Sequence, residues 1–494
     1  MKVLGVKRAV IIIGPCLYLL LLFIGGPEDM PAPAFAVLAC TAWIALWWLV
    51  EAVPIAITSL LPILLFSIND IMSVNAITDY YSSPIIFLFV GGFIIALAMQ
   101  KWNLHRRIAL TIINFTGTNQ KQLLLGFILA TGLLSMWISN TATTMMMLPI
   151  AISIVDQLAA LLNQETSHNS AFGKALVISI AYAASIGGIA TLVGTPTNLI
   201  FVESVQDFYQ FEVPFDDWFF FAFPMVIVLG GFLWWNLSHQ AFKLSSEQVP
   251  GSKTIIAEEL KKLGPIKYEE KWVLAIFASV ALAWIFRQLL IQPFFPQVND
   301  TTIALAGAIV LFVIPSRSEA SNMIMDWRTA VKLPWAVILL FGGAFALAGS
   351  FSESGLTQWI GNKLSLLEGI PPLLIILIVV AVVNYLTELT QNMATCTLML
   401  PILAALAQAI NMNPFVLMVP MTIASSCAFM LPVATAPNAI VFGSGALEIK
   451  DMVKAGFWLN ILSILIVTIY TYYLLPLIWN FDIAIFPQEF LNLP

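Results

Sequence analysis

Two short stretches combine oxygen-bearing side chains with long apolar flanks. The first is Ser135-Met136-Trp137-Ile138-Ser139-Asn140-Thr141-Ala142-Thr143-Thr144, within the apolar block Leu123 to Leu162. The second is Thr387-Glu388-Leu389-Thr390-Gln391-Asn392-Met393-Ala394-Thr395, within Pro372 to Ile410. Serine, threonine and asparagine offer neutral oxygens, and a helix broken at such a point adds free carbonyls on one side and free amides on the other. Carbonyls and hydroxyls suit a hard cation such as sodium, while amides at a helix N-terminus suit a carboxylate. The plainer alternative is that each hydroxyl bonds back to its own helix. The recurrence of the cluster, with asparagine at the same place, argues against it.

Each stretch is followed by an apolar run broken at glycine or proline: Ala190-Thr191-Leu192-Val193-Gly194-Thr195-Pro196-Thr197-Asn198, and Leu431-Pro432-Val433-Ala434-Thr435-Ala436-Pro437-Asn438. Proline removes an amide and kinks a helix, which leaves carbonyls free. One such kink is ordinarily structural. Two at matching positions, each with Thr before and Asn after, point to a site.

The elements that must position these groups are membrane helices. Of 494 residues, 60% are of hydrophobic type and only 10% are charged, against roughly 25% charged in a soluble domain. No soluble core hides so much apolar side chain. A helical crossing needs about 20 apolar residues. Candidate spans fall near 9 to 26, 35 to 50, 53 to 68, 84 to 100, 175 to 202, 218 to 236, 272 to 290, 301 to 315, 334 to 350, 415 to 445 and 456 to 476, about eleven in all. The first follows Lys2, Lys7 and Arg8, but Pro27, Glu28 and Asp29 offer no small-residue cleavage site, so it reads as a retained span.

Basic residues mark the side expected to be cytoplasmic: Lys101, Arg106 and Arg107, six lysines from Lys243 to Lys271, Arg317, Arg328 and Lys332, then Lys450 and Lys454. Acidic loops, among them Glu203, Asp207, Glu212, Asp216, Asp217 and Asp300, are expected outside. A cytoplasmic N-terminus and a periplasmic C-terminus require an odd number of crossings. Each interrupted block must therefore return to the side it entered, as a helical pair or as a re-entrant hairpin. Polar groups at membrane depth are tolerated only when buried in protein or lining a cavity, which favours re-entrant hairpins with tips near the midplane.

The halves repeat. Phe89-Val90-Gly91-Gly92 echoes Leu340-Phe341-Gly342-Gly343, Asn140 to Ile150 matches Asn392 to Ile402 with Leu-Pro-Ile at the same distance, and Thr195 to Asn198 matches Thr435 to Asn438. With the first hairpin opening inward between Lys121 and Lys174 and the second outward, these are inverted-topology repeats, a construction of secondary transporters that places the site at the repeat interface. The expected fold is an all-α polytopic membrane protein. Residues 1–34 form a first span and 35–240 the first repeat, with hairpin 123–162 and broken helix 175–202. A cytoplasmic linker, 241–271, precedes the second repeat, 272–476, with hairpin 372–410 and broken helix 415–445; 477–494 is a periplasmic tail.

At this point the motifs become specific. Ser139-Asn140-Thr141, Gly194 to Asn198, and Ser426-Cys427-Ala428-Phe429-Met430-Leu431-Pro432-Val433-Ala434-Thr435-Ala436-Pro437-Asn438-Ala439-Ile440-Val441-Phe442 resemble the divalent anion/sodium symporter family (DASS), known through its INDY members. Trp47-Trp48…Glu51-Ala52-Val53-Pro54 and Asp326-Trp327…Leu333-Pro334-Trp335 fit the same resemblance. It implies a homodimer with a fixed scaffold and a transport domain that moves like an elevator. It also implies one sodium site from Ser135, Ser139, Asn140 and the Gly194 carbonyl, and a second from Thr387, Gln391, Asn392 and the Ala434 carbonyl. The dicarboxylate would sit among Ser139, Asn140, Thr141, Thr195, Pro196, Asn392, Met393 and Thr435. Gln391-Asn392-Met393 stands where the family's bacterial dicarboxylate carriers usually repeat Ser-Asn-Thr, and Ala436 where proline is common.

The expected activity is import of C4 dicarboxylates such as succinate, fumarate or malate through a bacterial inner membrane by sodium symport. Rivals are sodium-independent dicarboxylate exchange, or symport of citrate, tartrate or sulfate. A buried dianion needs compensation, and neither polar cluster nor broken run contains Lys or Arg; sodium can supply it. A membrane enzyme with a serine nucleophile would need a base near Ser139, and no His or Lys lies between Leu123 and Leu162. No cofactor beyond sodium is implied, and no basic tract suits nucleic acid. Cys16, Cys40, Cys396 and Cys427 lack metal or disulfide spacing. His105, His168 and His239 read as solvated loop residues, and Met145-Met146-Met147 as hairpin packing. Glu51, Asp156, Arg287 and Glu388 lie in or beside apolar runs and are functional candidates on that ground.

Overall fold

The computed structural model describes residues 2–162, 170–246, 248, 251–318 and 322–490. Among them the chain is helical apart from loops, turns and two isolated bridges. Helix is the local solution for apolar runs that have no water to satisfy their amides.

The first half begins with α1 (Lys2–Ile24) and α2 (Ala32–Val50), which pack side by side where Gly14 meets Trp43 and Trp47. The run from 53 to 68 is two pieces, α3 (Ile55–Thr58) and α4 (Leu61–Ile68). Pro62 at the start of α4 has no amide to continue the helix, and at the break the Ser59 carbonyl accepts from the Tyr81 hydroxyl and lies against Gly343. Next come α5 (Val74–Tyr80), α6 (Pro84–Lys101) and a connector, α7 (Leu104–Thr116). The first hairpin is α8 (Gln120–Ser135) and α9 (Asn140–Leu162). The broken span is α10 (Ala171–Ile189) and α11 (Pro196–Tyr209), and α12 (Phe215–Trp235) closes the half.

The second half follows the same order. After α13 (Ser252–Lys262) come α14 (Tyr268–Ile285), α15 (Asp300–Val313), α16 (Trp327–Ala330) and α17 (Trp335–Glu353). The connector is α18 (Leu356–Leu364), the hairpin α19 (Pro372–Leu386) and α20 (Asn392–Ala409), the broken span α21 (Phe415–Ser425) and α22 (Ala436–Gly443), and α23 (Ile449–Trp479) closes it.

Eight helices among the described residues are long and apolar enough to cross a membrane, and four shorter apolar helices accompany them. A span broken in the middle, as at α21 and α22, yields two short helices, so a count by length passes over it. Such a count also admits α20, which is one arm of a hairpin. The most enclosed of the eight is α10, with 94% of its apolar window buried. It meets α8 backbone to backbone: a Cβ on Gly187 would lie 2.3 Å from the Gly132 carbonyl oxygen. The halves also interlock, α9 and α10 packing on α22 while α20 packs on α11.

The two connectors match in detail. Each starts from a residue in the left-handed region, Asn103 (φ 58°) and Gly355 (φ 77°), and each leads to a positive-φ glycine ahead of its hairpin, Gly117 (φ 117°) and Gly369 (φ 90°). Both pairs are 252 positions apart (355 − 103 and 369 − 117). The first connector is held by Arg107, which pairs with Glu270 at 2.6 Å, and by Arg106 with Glu259.

Two expectations for individual residues need correction. His105 is not a solvated loop residue; it sits in the first turn of α7, 8% exposed, with Nδ1 2.8 Å from the Met99 carbonyl. His239 is exposed beside Lys121, as expected, and His168 lies outside the described residues. Of the three methionines, Met147 is fully buried but Met145 is exposed. Arg287, 3% exposed, pairs with Glu212 at 2.9 Å and Asp300 at 3.1 Å, and Asp300 in turn accepts from Phe215 N, whose ring stacks on Trp137 of the first tip.

Candidate functional site

The two hairpin tips are built alike. In the first, the Ser135 hydroxyl donates to Asn140 Oδ1 at 2.6 Å; in the second, the Thr387 hydroxyl donates to Asn392 Oδ1 at 2.8 Å. Each bond joins the last turn of one arm to the first residue of the other, across five residues. Ser135 and Thr387 are fully buried, whereas Asn140 and Asn392 are half-buried, so the carboxamides stand at the edge of the protein interior. Ser139 caps α9, its hydroxyl accepting from Ala142 N at 3.3 Å. Other hydroxyls do bond back to their own helices: Thr144 to the Asn140 carbonyl, Thr395 to that of Gln391 and Thr397 to that of Met393. Thr390 likewise donates to the Leu386 carbonyl at 2.9 Å, so the plainer reading describes these four and fails for Ser135 and Thr387.

The breaks are also alike. Asn198 Nδ2 donates to the carbonyls of Thr191 at 2.8 Å and Gly188 at 3.4 Å; Asn438 Nδ2 donates to those of Leu431 at 3.0 Å and Ala428 at 3.1 Å. The spacings of seven and ten residues are the same in both halves. Each asparagine thus braces its break by gripping carbonyls at the end of the incoming helix and in the loop that follows it. Thr435 caps α22, accepting from Asn438 N at 3.2 Å, and Thr195 occupies the same position ahead of Pro196.

In the first half the residues named for one cation come together. A Cβ on Gly188 would fall 2.4 Å from Asn140 Oδ1, and one on Gly194 would fall 2.5 Å from the Gly188 carbonyl oxygen. Asn140, Gly188 and Gly194 are thus in one tight contact, with Ser135 joined through Asn140. In the second half, the Thr387 hydroxyl is shared between Asn392 Oδ1 at 2.8 Å and the Ser425 carbonyl at 2.9 Å, and the hairpin meets its break through Thr387 and Glu388 instead of through the asparagine. The Gln391 side chain is turned to Glu51 of the α2 terminus. Thr141 and Met393 are both half-buried. A hydroxyl pair, Thr197 to Ser426 at 2.9 Å, and the Cys396 thiol facing the Thr197 carbonyl at 3.6 Å join the halves behind the tips.

The donors at both tips are neutral oxygens, a set that suits a hard cation and does not titrate. Alongside α9 an open cleft of about 580 Å³, lined by Met145, Leu148, Pro149, Ile152, Ser153, Asp156 and Ile440 of α22, runs from near the first tip toward the far end of the helix. Sequence reasoning did not find Gly188, the bracing by Asn198 and Asn438, or the partners of Glu388. The repeated Asn of the two breaks was the available signal for the bracing; the other two depend on which elements meet in space.

Residues 6–480 match the family described as "Sodium:sulfate symporter transmembrane region". The chain is 45% identical over 479 residues to the "Sodium-dependent dicarboxylate transporter SdcS" of Staphylococcus saprophyticus, covering 96% of this chain and 92% of the relative. It is 46% identical over 478 residues to a protein of the same name from Staphylococcus aureus, with the same coverage. Its fold is similar to that of MtrF from Neisseria gonorrhoeae, described among antimetabolite efflux pumps (TM-score 0.58, 13% identity, 91% of this chain and 96% of that one). The Alcanivorax borkumensis YdaH transporter is similar at TM-score 0.55 and 11% identity, over 80% of this chain and 86% of that one. At such identities these two speak to fold alone.

Proposed function

Because the chain belongs to the sodium:sulfate symporter family, we propose that it carries a small dicarboxylate across the membrane together with sodium, C4 acids such as succinate, fumarate and malate being the preferred cargo. The observation that carries this reading is the pair of buried hydroxyl-to-carboxamide bonds, Ser135 to Asn140 and Thr387 to Asn392, at matching places in the two hairpins. In this reading each tip supplies neutral oxygens to one cation, and the dianion lies between the two. Neither tip nor break contains a lysine or arginine. A dianion leaving water there needs positive charge from elsewhere, and co-bound sodium supplies it.

Within this proposal the first-half cation is held by Ser135, Ser139, Asn140 and the Gly194 carbonyl, and the second-half cation by Thr387, Gln391, Asn392 and the Ala434 carbonyl. The dicarboxylate lies among Ser139, Asn140, Thr141, Thr195, Pro196, Asn392, Met393 and Thr435. The carrier works as a homodimer in a bacterial inner membrane, N-terminus inside and C-terminus outside, its hairpins and broken spans moving as a transport domain against a scaffold. The inverted repeats are 35–240 and 272–476, each contributing one hairpin and one broken span to the transport domain.

The test is uptake of labelled succinate into proteoliposomes with sodium or choline outside. Sodium-dependent uptake, stimulated by an interior-negative potential if more than two sodium ions accompany each dianion, is the expected result. Equal uptake in both buffers with stimulation by internal dicarboxylate would replace symport by exchange. Competition by citrate, tartrate or sulfate exceeding that by succinate would move the cargo away from C4 acids.

A further inference from the structure

Glu388 follows Thr387 at the second hairpin tip and is 2% exposed. Its Oε1 accepts from Phe429 N at 2.7 Å, Met430 N at 2.8 Å and Asn460 Nδ2 at 2.7 Å, and its Oε2 accepts from Leu431 N at 2.9 Å. Among the described residues no lysine, arginine or histidine pairs with it. A lone carboxylate is costly in an apolar interior unless donors converge on it, and consecutive backbone amides form a nest that holds an anion.

These amides are available because α21 ends at Ser425 and α22 does not begin until Ala436. In the first half α10 runs on to Ile189, and Ala190 N is satisfied by the Gly187 carbonyl at 3.0 Å. The position matching Glu388 there, 252 residues earlier, is Met136, whose carbonyl receives the Thr191 hydroxyl. Both joints include a hydroxyl-to-carbonyl bond, Thr191 to Met136 in the first half and Thr387 to Ser425 at 2.9 Å in the second, but only the second adds a whole charge.

We propose that Glu388 is a charged positioning residue for the second-half cation: its carboxylate fixes the break that presents the carbonyls ahead of Thr435, and its charge makes the second-half site bind sodium more tightly than the neutral first-half site. The proposal rests on the sodium-coupled reading above. Amide dipoles and one carboxamide orient toward the carboxylate without cancelling its charge. The pocket around the second tip therefore carries a net negative charge until a cation arrives, in surroundings that screen it poorly. The second-half site fills first, and the first-half site fills as sodium rises further.

Sodium activation of uptake at saturating dicarboxylate is the measurement. Glu388→Gln removes the charge and turns one acceptor into a donor facing an amide. It is expected to raise the sodium concentration for half-maximal uptake by about tenfold or more, while the KM for succinate at saturating sodium moves less than about threefold. Glu388→Asp, which keeps the charge, is expected to fall between. A purely structural glutamate would lower the amount of folded carrier and the maximal rate with the sodium curve unmoved, and that result overturns the proposal. If Glu388→Gln does not fold, Asn460→Ala leaves the charge and three of the four bonds; a rise of about two- to threefold in the sodium half-saturation supports the proposal, and an unmoved curve overturns it. Wild-type uptake indifferent to sodium would sink the coupled reading itself, before any variant is compared.

Discussion

Gln391 donates its side-chain amide to the Glu51 carboxylate, tying the tip of the second hairpin to the end of α2. Glu51 sits where α2 stops, in the left-handed region at φ 47°, and its side chain is exposed. The matching residue of the first hairpin, Ser139, turns inward to cap α9. The departure from Ser-Asn-Thr therefore does more than change a ligand, since it ties the second tip to α2 by a hydrogen bond where Ser139 bonds within its own hairpin.

Releasing the tether should alter the rate of transport. A hydrogen bond to a charged group contributes about 1.5 to 3 kcal/mol, less where water competes, so its loss can shift the balance of tethered and free tips by about tenfold. Gln391→Ser and Glu51→Gln are each expected to raise the initial rate of uptake, and the double variant to add nothing further. Fully additive effects would show that the two residues act independently.

Gly188→Ala should disable the carrier nearly as fully as Asn140→Ala. The added Cβ would sit 2.4 Å from Asn140 Oδ1, which must swing away from Ser135. Both variants are expected to lose uptake by about tenfold or more, the scale of a lost contact to a charged ligand. Gly230→Ala, which meets nothing within 4 Å, is the control for the substitution itself and should be silent. Normal uptake by folded, inserted Gly188→Ala would separate Asn140 from the site.

Thr141 and Met393 occupy matching, half-buried places after the two asparagines, but only Thr141 brings a hydroxyl; the thioether is at best a weak acceptor. Met393→Thr is expected to keep transport and change the ranking of dicarboxylates of different length, and Thr141→Met to weaken binding strongly. The comparison is inhibition of succinate uptake by longer dicarboxylates and citrate in both variants. Identical profiles would remove Met393 from the substrate site.

Much of this was legible in the chain because apolar length and repeated asparagines are local properties. The hairpins at 123–162 and 372–410 appear as paired helices, and the asparagines after the breaks brace them at identical spacings. The run 53 to 68 reads as continuous by hydropathy, yet Pro62 starts a second helix there and the Ser59 carbonyl is taken up by Tyr81, far away in sequence. Glu388 stood out as a charge in an apolar block, but its partners depend on α21 ending at Ser425, and nothing in the apolar pattern marks that end. His105 looked solvated from its neighbours Arg106 and Arg107, which point to ion pairs while the imidazole turns to the Met99 carbonyl.

The connectors α7 and α18 lead straight into the two hairpins. The near end of α7 is fastened by the Arg107 to Glu270 pair, and each connector leads to a glycine in a backbone region that other L-residues resist. Gly117 and Gly369 are therefore the points at which the backbone between connector and hairpin is least restricted, at the same distance along each half. Gly369→Ala, sterically open and strained only in φ, is expected to leave both tips intact while slowing uptake.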